Sequence, residues 1–247
     1  MDRNYWEKIA PEYNAEIFDV LKNDSKGIIV SAIRRFSSKE KTVIDIGCAI
    51  GKWIPVLSPS FKRVYAIDIS IENLNIAQNL YPEFKNVVYA RADMSNLKAK
   101  IRQCDFGICI NAILTDSLKK RNIFFTNLKK CIKKNGHIVL VIPSLESSLL
   151  TSIIRQRWNS DKDADSYIRK SKKSQQFKNI LQGNAEIDNV PTKHYLKEEL
   201  ELLLSNEGFV VKEFHKIEYD WTTEFLKPPK WLKKPRPWDW MVLAGKK

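Results

Sequence analysis

Val43-Ile44-Asp45-Ile46-Gly47-Cys48-Ala49-Ile50-Gly51 is the stretch on which the reading of this chain turns. An apolar run broken by one acid and stopped by glycine is the pattern of a strand buried on both faces. Small residues then recur at alternate positions, Gly47, Ala49 and Gly51. A glycine at a strand-to-helix turn lets the backbone touch a ligand and take dihedrals that a β-carbon opposes. The spacing also separates this loop from a dinucleotide fingerprint, which needs Gly-x-Gly-x-x-Gly and sets the pyrophosphate on a helix N-terminus. No such triplet is present, so a nicotinamide oxidoreductase is disfavoured.

Four more apolar runs follow: Val64 to Ile67 ending at Asp68, Asn86 to Ala90, Phe106 to Ile110, and Gly136 to Ile142 stopped by Pro143. Helical periodicity lies between them, at Ile71 to Asn79 and Leu118 to Ile132. Strands alternating with helices, the strands near-continuously apolar, predict a parallel sheet covered on both faces. Upstream, residues 1–36 read as helical, with Trp6, Ile9, Ala10, Tyr13, Ile17 and Leu21 on one face. Downstream, residues 144–191 turn polar and lysine-rich and read as a cap insertion of helices and loops. A helix-start signal at Thr192 follows, with Leu196, Leu200, Leu203 and Leu204 as its buried stripe and Gly208 as its stop. Phe209–Phe214 and Trp240–Ala244 read as the sixth and seventh strands. The division expected is one domain: N-terminal helices 1–40, a core 41–143, the cap 144–191, and a C-terminal helix with strands over 192–247.

Composition narrows the class. The 247 residues are 43% hydrophobic and 11% aromatic, which fits a folded α/β domain and not a disordered chain. No apolar run nears the roughly 18 residues of a membrane helix, and the polar, aromatic N-terminus is no secretory signal. Cys48, Cys104, Cys109 and Cys131 form no Cys-x-x-Cys pair and read as buried small hydrophobes in a reducing, cytoplasmic setting. Net charge is +13, but 31 of the 42 cationic residues are lysine and only 11 arginine. Arginine is the better fork for phosphate and base edges, so a nucleic-acid partner is the weaker reading and a lysine-rich surface the stronger. His137, His194 and His215 make no metal constellation.

Three acids stand at or just beyond the ends of successive strands: Asp45, Asp68 and Asp93, the last in Ala90-Arg91-Ala92-Asp93-Met94. Ligands of open α/β sheets bind at that rim, and Asp68 in particular offers a bidentate carboxylate. With these residues in place, the chain resembles the class I S-adenosylmethionine-dependent methyltransferases over about residues 41–143, and more loosely over the last 54 residues. The family's first motif is acid-x-Gly-x-Gly-x-Gly, and Ala49 stands here for the middle glycine. The resemblance implies a doubly wound, mostly parallel seven-stranded sheet of Rossmann-like type with the last strand antiparallel. It implies S-adenosylmethionine as cofactor, with S-adenosylhomocysteine as product. Asp45 would lie near the cofactor's ammonium group, Asp68 on its ribose, and Ile69 against the adenine. Asp93 would accept from the adenine amino group, and Met94 would offer its backbone N–H. Gly47, Ala49 and Gly51 would form the close turn, and Asn111 would pass under the transferring methyl. The segment from Asn111 to Leu114 lacks the Asn-Pro-Pro-Tyr of enzymes that methylate nucleobase amines, which counts against that chemistry.

The N-terminal Trp6, Ala10 and Tyr13 match a spacing found ahead of the glycine loop in many small-molecule methyltransferases. Tyr13 then contacts the cofactor's methionine end, unless the helix is merely packed. Trp6, Trp158, His194 and Trp221 are substrate-pocket candidates, each with core packing or a surface role as the alternative. Lys233 to Trp238 is either a solvated basic loop or a phosphate-binding one. The first expectation is methyl transfer by in-line displacement to O, N or S of a small molecule. The alternatives are an RNA or protein methyltransferase using the basic surface, and a silent cofactor-binding module. No residue presents itself as a catalytic base, no metal is expected, and nothing in the sequence sets the oligomeric state.

Overall fold

The computed structural model describes residues 3–13, 17, 19–158, 181–187 and 190–247. Seven strands form one sheet: β1 (Ser38–Ile46), β2 (Phe61–Asp68), β3 (Val87–Arg91), β4 (Cys104–Ile110), β5 (Ile132–Pro143), and, later in the chain, β8 (Phe209–Glu218) and β9 (Trp238–Lys246). Their order is β3-β2-β1-β4-β5-β9-β8. The first five run parallel. Only β9 runs against its neighbours, β5 and β8. The two wings of the sheet spread outward from β1, the reversal that places a ligand crevice at the strands' C-terminal ends.

Helices cover both faces because the strands are apolar on both. α3 (Ile28–Phe36) lays Ile29, Ala32 and Ile33 against Val43, Phe106, Val139 and Met241. On the opposite face, α6 (Leu118–Cys131) and α8 (Lys197–Asn206) bring Phe125, Leu128, Leu200 and Leu204 onto Ile44, Ile138 and Val242. α5 (Ile71–Leu80) follows Asp68 directly, and its N-cap Ser70 accepts from Asn73 N–H at 3.1 Å. Burying this apolar surface is the main driving force for the fold. The four cysteines are free and buried. No helix among the described residues is long and apolar enough to cross a membrane.

Three sequence expectations are corrected. The N-terminal apolar face is not carried by one regular α-helix: α1 (Arg3–Ile9) passes into a 3-10 turn, Ala10–Glu12, and α2 (Val20–Asn23) lies further along the chain. Pro11 lacks the N–H that a continuing helix needs. The cap contains strands as well as helix. α7 (Leu145–Trp158) opens it, and β6 (Asn184–Ile187) pairs antiparallel with β7 (Val190–Lys193) near its end. Thr192, expected to start a helix, therefore lies in β7, and the helix begins at Lys197 after Leu196.

Candidate functional site

The parallel strands deliver their ends to one rim, and β9 begins there, with Asp239 opposite Pro143. The loop after β1 is held in left-handed backbone at Gly47 (φ 72°) and at Ala49 (φ 47°). A β-carbon on Gly47 would lie 2.5 Å from the Ala112 Cβ, so only glycine fits there. Ala49 bears its strained backbone because its N–H donates to Asp68 Oδ2 at 2.9 Å. The loop thus clasps the acid at the end of the next strand. Gly51 does not line the cleft; it packs beside Ile54 and Ala77.

Two lobes of about 300 Å³ and about 450 Å³ open above this rim. They share Trp6, Tyr13, Gly47, Ala49 and Asn111, so they form one cleft. Asp68, Ile69, Asp93 and Met94 line the first lobe. Asp45 lines the second, with Lys52. Asp68 is buried; its Oδ1 accepts from Ser70 N–H at 2.9 Å and Asn73 Nδ2 at 3.5 Å. Burial pushes its carboxyl above the ordinary range, against hydrogen bonds from Ser70 and Ala49 that lower it. Burial, and then the charge of Asp68, raise Asp45 to about 8. Asp93 spends Oδ1 on Ser95, from the backbone N–H at 2.8 Å and the hydroxyl at 2.7 Å.

Three buried oxygens on this cleft have no hydrogen-bond partner: Asp45 Oδ2, Asn73 Oδ1 and Asn111 Oδ1. The two amide oxygens only accept, and Asp45 Oδ2 accepts once its carboxyl is ionised. Buried polar groups are almost always satisfied, and an unmet one costs about 1–3 kcal/mol. What the buried wall of the cleft lacks is partners for these oxygens, and a ligand that suits them brings donors.

The N-terminal segment roofs the cleft. Trp6 and Tyr13 lie with ring centroids 6.5 Å apart. Burial first, then Asp68, Cys48, Asp45 and Asp19, hold the Tyr13 hydroxyl far above the phenol range, so it stays protonated. The roof is tied down by Glu7, which accepts from Ser70 Oγ at 2.8 Å, Ile71 N–H at 3.1 Å and Glu72 N–H at 3.1 Å. It thereby caps α5 from outside. Burial opposes this, but the hydrogen bonds from Ser70, Glu72, Ile71 and Arg3 bring the Glu7 carboxyl down to about 2.

Two substrate candidates lie away from the lining. His194 is buried, with its ring Nδ1 3.0 Å from Thr192 O and its backbone N–H donating to Gly183 O at 2.8 Å. Trp221 packs with Ile154, Phe225 and Leu232 and donates Nε1–H to Pro235 O at 3.0 Å. Burial explains both: each ring is a satisfied core group. The Trp158 side chain lies outside the described residues. Conversely, the sequence reading did not single out Asn73, Lys52, Glu7 or Asp239. Asn73 carried a faint signal, a polar residue in the first helical turn after Asp68. Asp239 carried none, since it precedes the apolar run read as the last strand.

A parallel sheet wound both ways from β1, with a glycine-turned loop clasping an acid and a cleft above it whose unmet buried groups are oxygens, defines an α/β protein built to hold a nucleoside-like ligand. The chain belongs to the methyltransferase-domain family, whose profile matches residues 20–213. No curated protein matches the chain. Among solved structures it is similar to an S-adenosylmethionine-dependent methyltransferase from Methanosarcina mazei, at 18% identity and TM-score 0.61, covering 87% of this chain and 96% of that one. It is also similar to an N-methyltransferase from Bradyrhizobium japonicum in complex with S-adenosylhomocysteine, at 13% identity and TM-score 0.61, covering 99% of each chain. A third is magnesium protoporphyrin IX methyltransferase from Synechocystis with bound S-adenosylhomocysteine, at 13% identity and TM-score 0.60, covering 99% and 98%.

Proposed function

We propose that this chain is an S-adenosylmethionine-dependent methyltransferase acting on a small-molecule acceptor. The observation that carries the reading is the surplus of unmet acceptors in the cleft. The cofactor brings the missing donors: an ammonium group, two ribose hydroxyls and an adenine amine. A dinucleotide would instead bring a pyrophosphate, which has no donors to offer these oxygens.

On this reading the first lobe takes the nucleoside. Asp68 and Asn73 hold the ribose diol, Asp93 accepts from the adenine amine through its remaining oxygen, and Ile69 and Met94 flank the ring. In the second lobe Asp45 takes the ammonium. Lys52, already paired with Asp19 at 2.9 Å, and the protonated Tyr13 hydroxyl serve the carboxylate end. When bound, the cofactor supplies a methyl group made electrophilic by its positively charged sulfur. The chain's part is to align the acceptor and to keep the junction dry. Positioning of that kind contributes up to about 7–11 kcal/mol. The roof of α1 and the β6–β7 hairpin, whose Ile187 reaches the second lobe, exclude water. Enclosure on this scale fits a small acceptor.

One feature favours an RNA acceptor instead. A hollow of about 260 Å³ is lined by Lys26, Lys216, Lys234 and Arg236, beside Glu218 and Asp24. Labelled methyl transfer into a lysate split into small-molecule, RNA and protein fractions decides between them. Label in the small-molecule fraction supports the proposal; label in RNA, falling steeply with salt, overturns it.

A further inference from the structure

Asn111 lines both lobes, at the point where they meet. It is a non-glycine residue in left-handed backbone, φ 47°, anchored by its N–H on Val141 O at 2.8 Å. Strain of this kind persists only where the surroundings impose it, and it gathers at functional positions. Its side-chain amide has two ends. The nitrogen donates to Asp239 Oδ2 at 2.9 Å, and the oxygen is buried with no partner. An ionised carboxylate accepts and does not donate, so Asp239 dictates which end of the amide is left over. Asp239 is 4% exposed and is the second residue of β9, across from Pro143 at the end of β5. It is held in turn by Tyr219, which gives it a second hydrogen bond. The four groups make a chain, from Tyr219 through Asp239 to the Asn111 nitrogen and then to a free oxygen in the cleft.

We propose that Asp239 is a positioning residue for the transfer: by fixing the Asn111 amide it leaves Oδ1 as an acceptor reserved for an N–H or O–H group at the junction of the lobes. The inference rests on the cofactor reading above, because the other unmet acceptors are matched there by the ribose and the ammonium. It names the acceptor class as well. The attacking atom carries hydrogen, as in an amine or a hydroxyl, and a thioether or tertiary amine would leave Oδ1 unmet.

The test uses binding, so it needs no acceptor. The probes are S-adenosylhomocysteine and sinefungin, the analogue with an amine where the cofactor carries its methyl. Calorimetry on the full chain gives the ratio of the two affinities, with S-adenosylhomocysteine alone reporting an intact site. Asn111→Ala removes the acceptor, and the ratio should fall about tenfold, the worth of one hydrogen bond to a charged donor. Asp239→Asn can pair with either end of the amide and should lower the ratio about two- to threefold. The double variant should fall no further than Asn111→Ala, because the two act as one unit. Tyr219→Phe, the milder change, should lower it less. A ratio unmoved by Asp239→Asn, or losses that add in the double variant, overturns the inference while leaving the cofactor reading intact. Failure of the unmodified protein to bind S-adenosylhomocysteine overturns both.

Discussion

The core over residues 41–143 and the segment beyond it contribute to the same cleft in opposite ways. Core residues arrive by local geometry: Asp45, Asp68 and Asp93 sit at or just past strand ends, within a few residues of the turns that aim them. Residues from outside the core arrive by long-range packing. Asp239 reaches Asn111 across 128 positions of sequence, and Glu7 reaches Ser70 across 63. The local set supplies the acceptors that suit an adenosyl ligand; the distant set orients them and closes the roof. Substitutions should therefore be severe and specific in the core, and graded outside it.

Asp68→Ala should give the largest effect. It removes the acid that two loops converge on, and affinity for S-adenosylhomocysteine should drop by about a hundredfold or more. Thermal unfolding should show the fold retained; unchanged affinity by calorimetry would break the contrast. Gly47→Ala should come next. Left-handed backbone and the 2.5 Å approach to Ala112 should cost about 1–3 kcal/mol in chemical denaturation, with weaker binding alongside. Glu7→Gln should be milder, since the amide still accepts from Ser70 but loses the charge at the helix N-terminus. A fall in affinity of about threefold is expected, mostly through faster release in stopped-flow displacement. An effect as large as that of Asp68→Ala would mean that the roof, and not the rim, holds the ligand. The remaining effect is on stability against pH, where the contrast is read without ligand. The Asp45 carboxyl is raised in the fold from 3.8 to about 8, so the folded state binds the extra proton. Stability of the ligand-free protein should then decline as pH rises from near 4 through 8, and Asp45→Asn should flatten that decline. An identical slope in both proteins would remove Asp45 from the account.

The same division explains what could be read in advance. The strands of the core and the acids at their ends follow from short apolar runs and turn residues, because strand, turn and ligand contact lie close together there. The direction of the last strand was legible only through the resemblance to the methyltransferases. The N-terminal apolar spacing runs at a helical period through Pro11, where the chain instead tightens into the 3-10 turn Ala10–Glu12. β6 and β7 were hidden because they are four residues each, carry Pro191 and, among the described residues, join the rest of the fold by a single β-bridge, Thr192 to Thr115. His194 and Trp221 looked available because their types suit a pocket, and only packing shows that each already has its partner. Asp239 could not be singled out, since its role comes from the register that sets it opposite Pro143.

The central claim, that the acceptor-rich rim grips an adenosyl ligand with Asp45 on its ammonium, predicts a proton balance. At pH 7 the free Asp45 carboxyl is mostly protonated, and an adjacent ammonium holds it ionised, so binding should release close to one proton. Titrating S-adenosylhomocysteine in two buffers of different ionisation enthalpy measures this directly. The account predicts heats that differ by the buffer term in the unmodified protein and coincide in Asp45→Asn. Tight binding with the same heat in both buffers for the unmodified protein would contradict it.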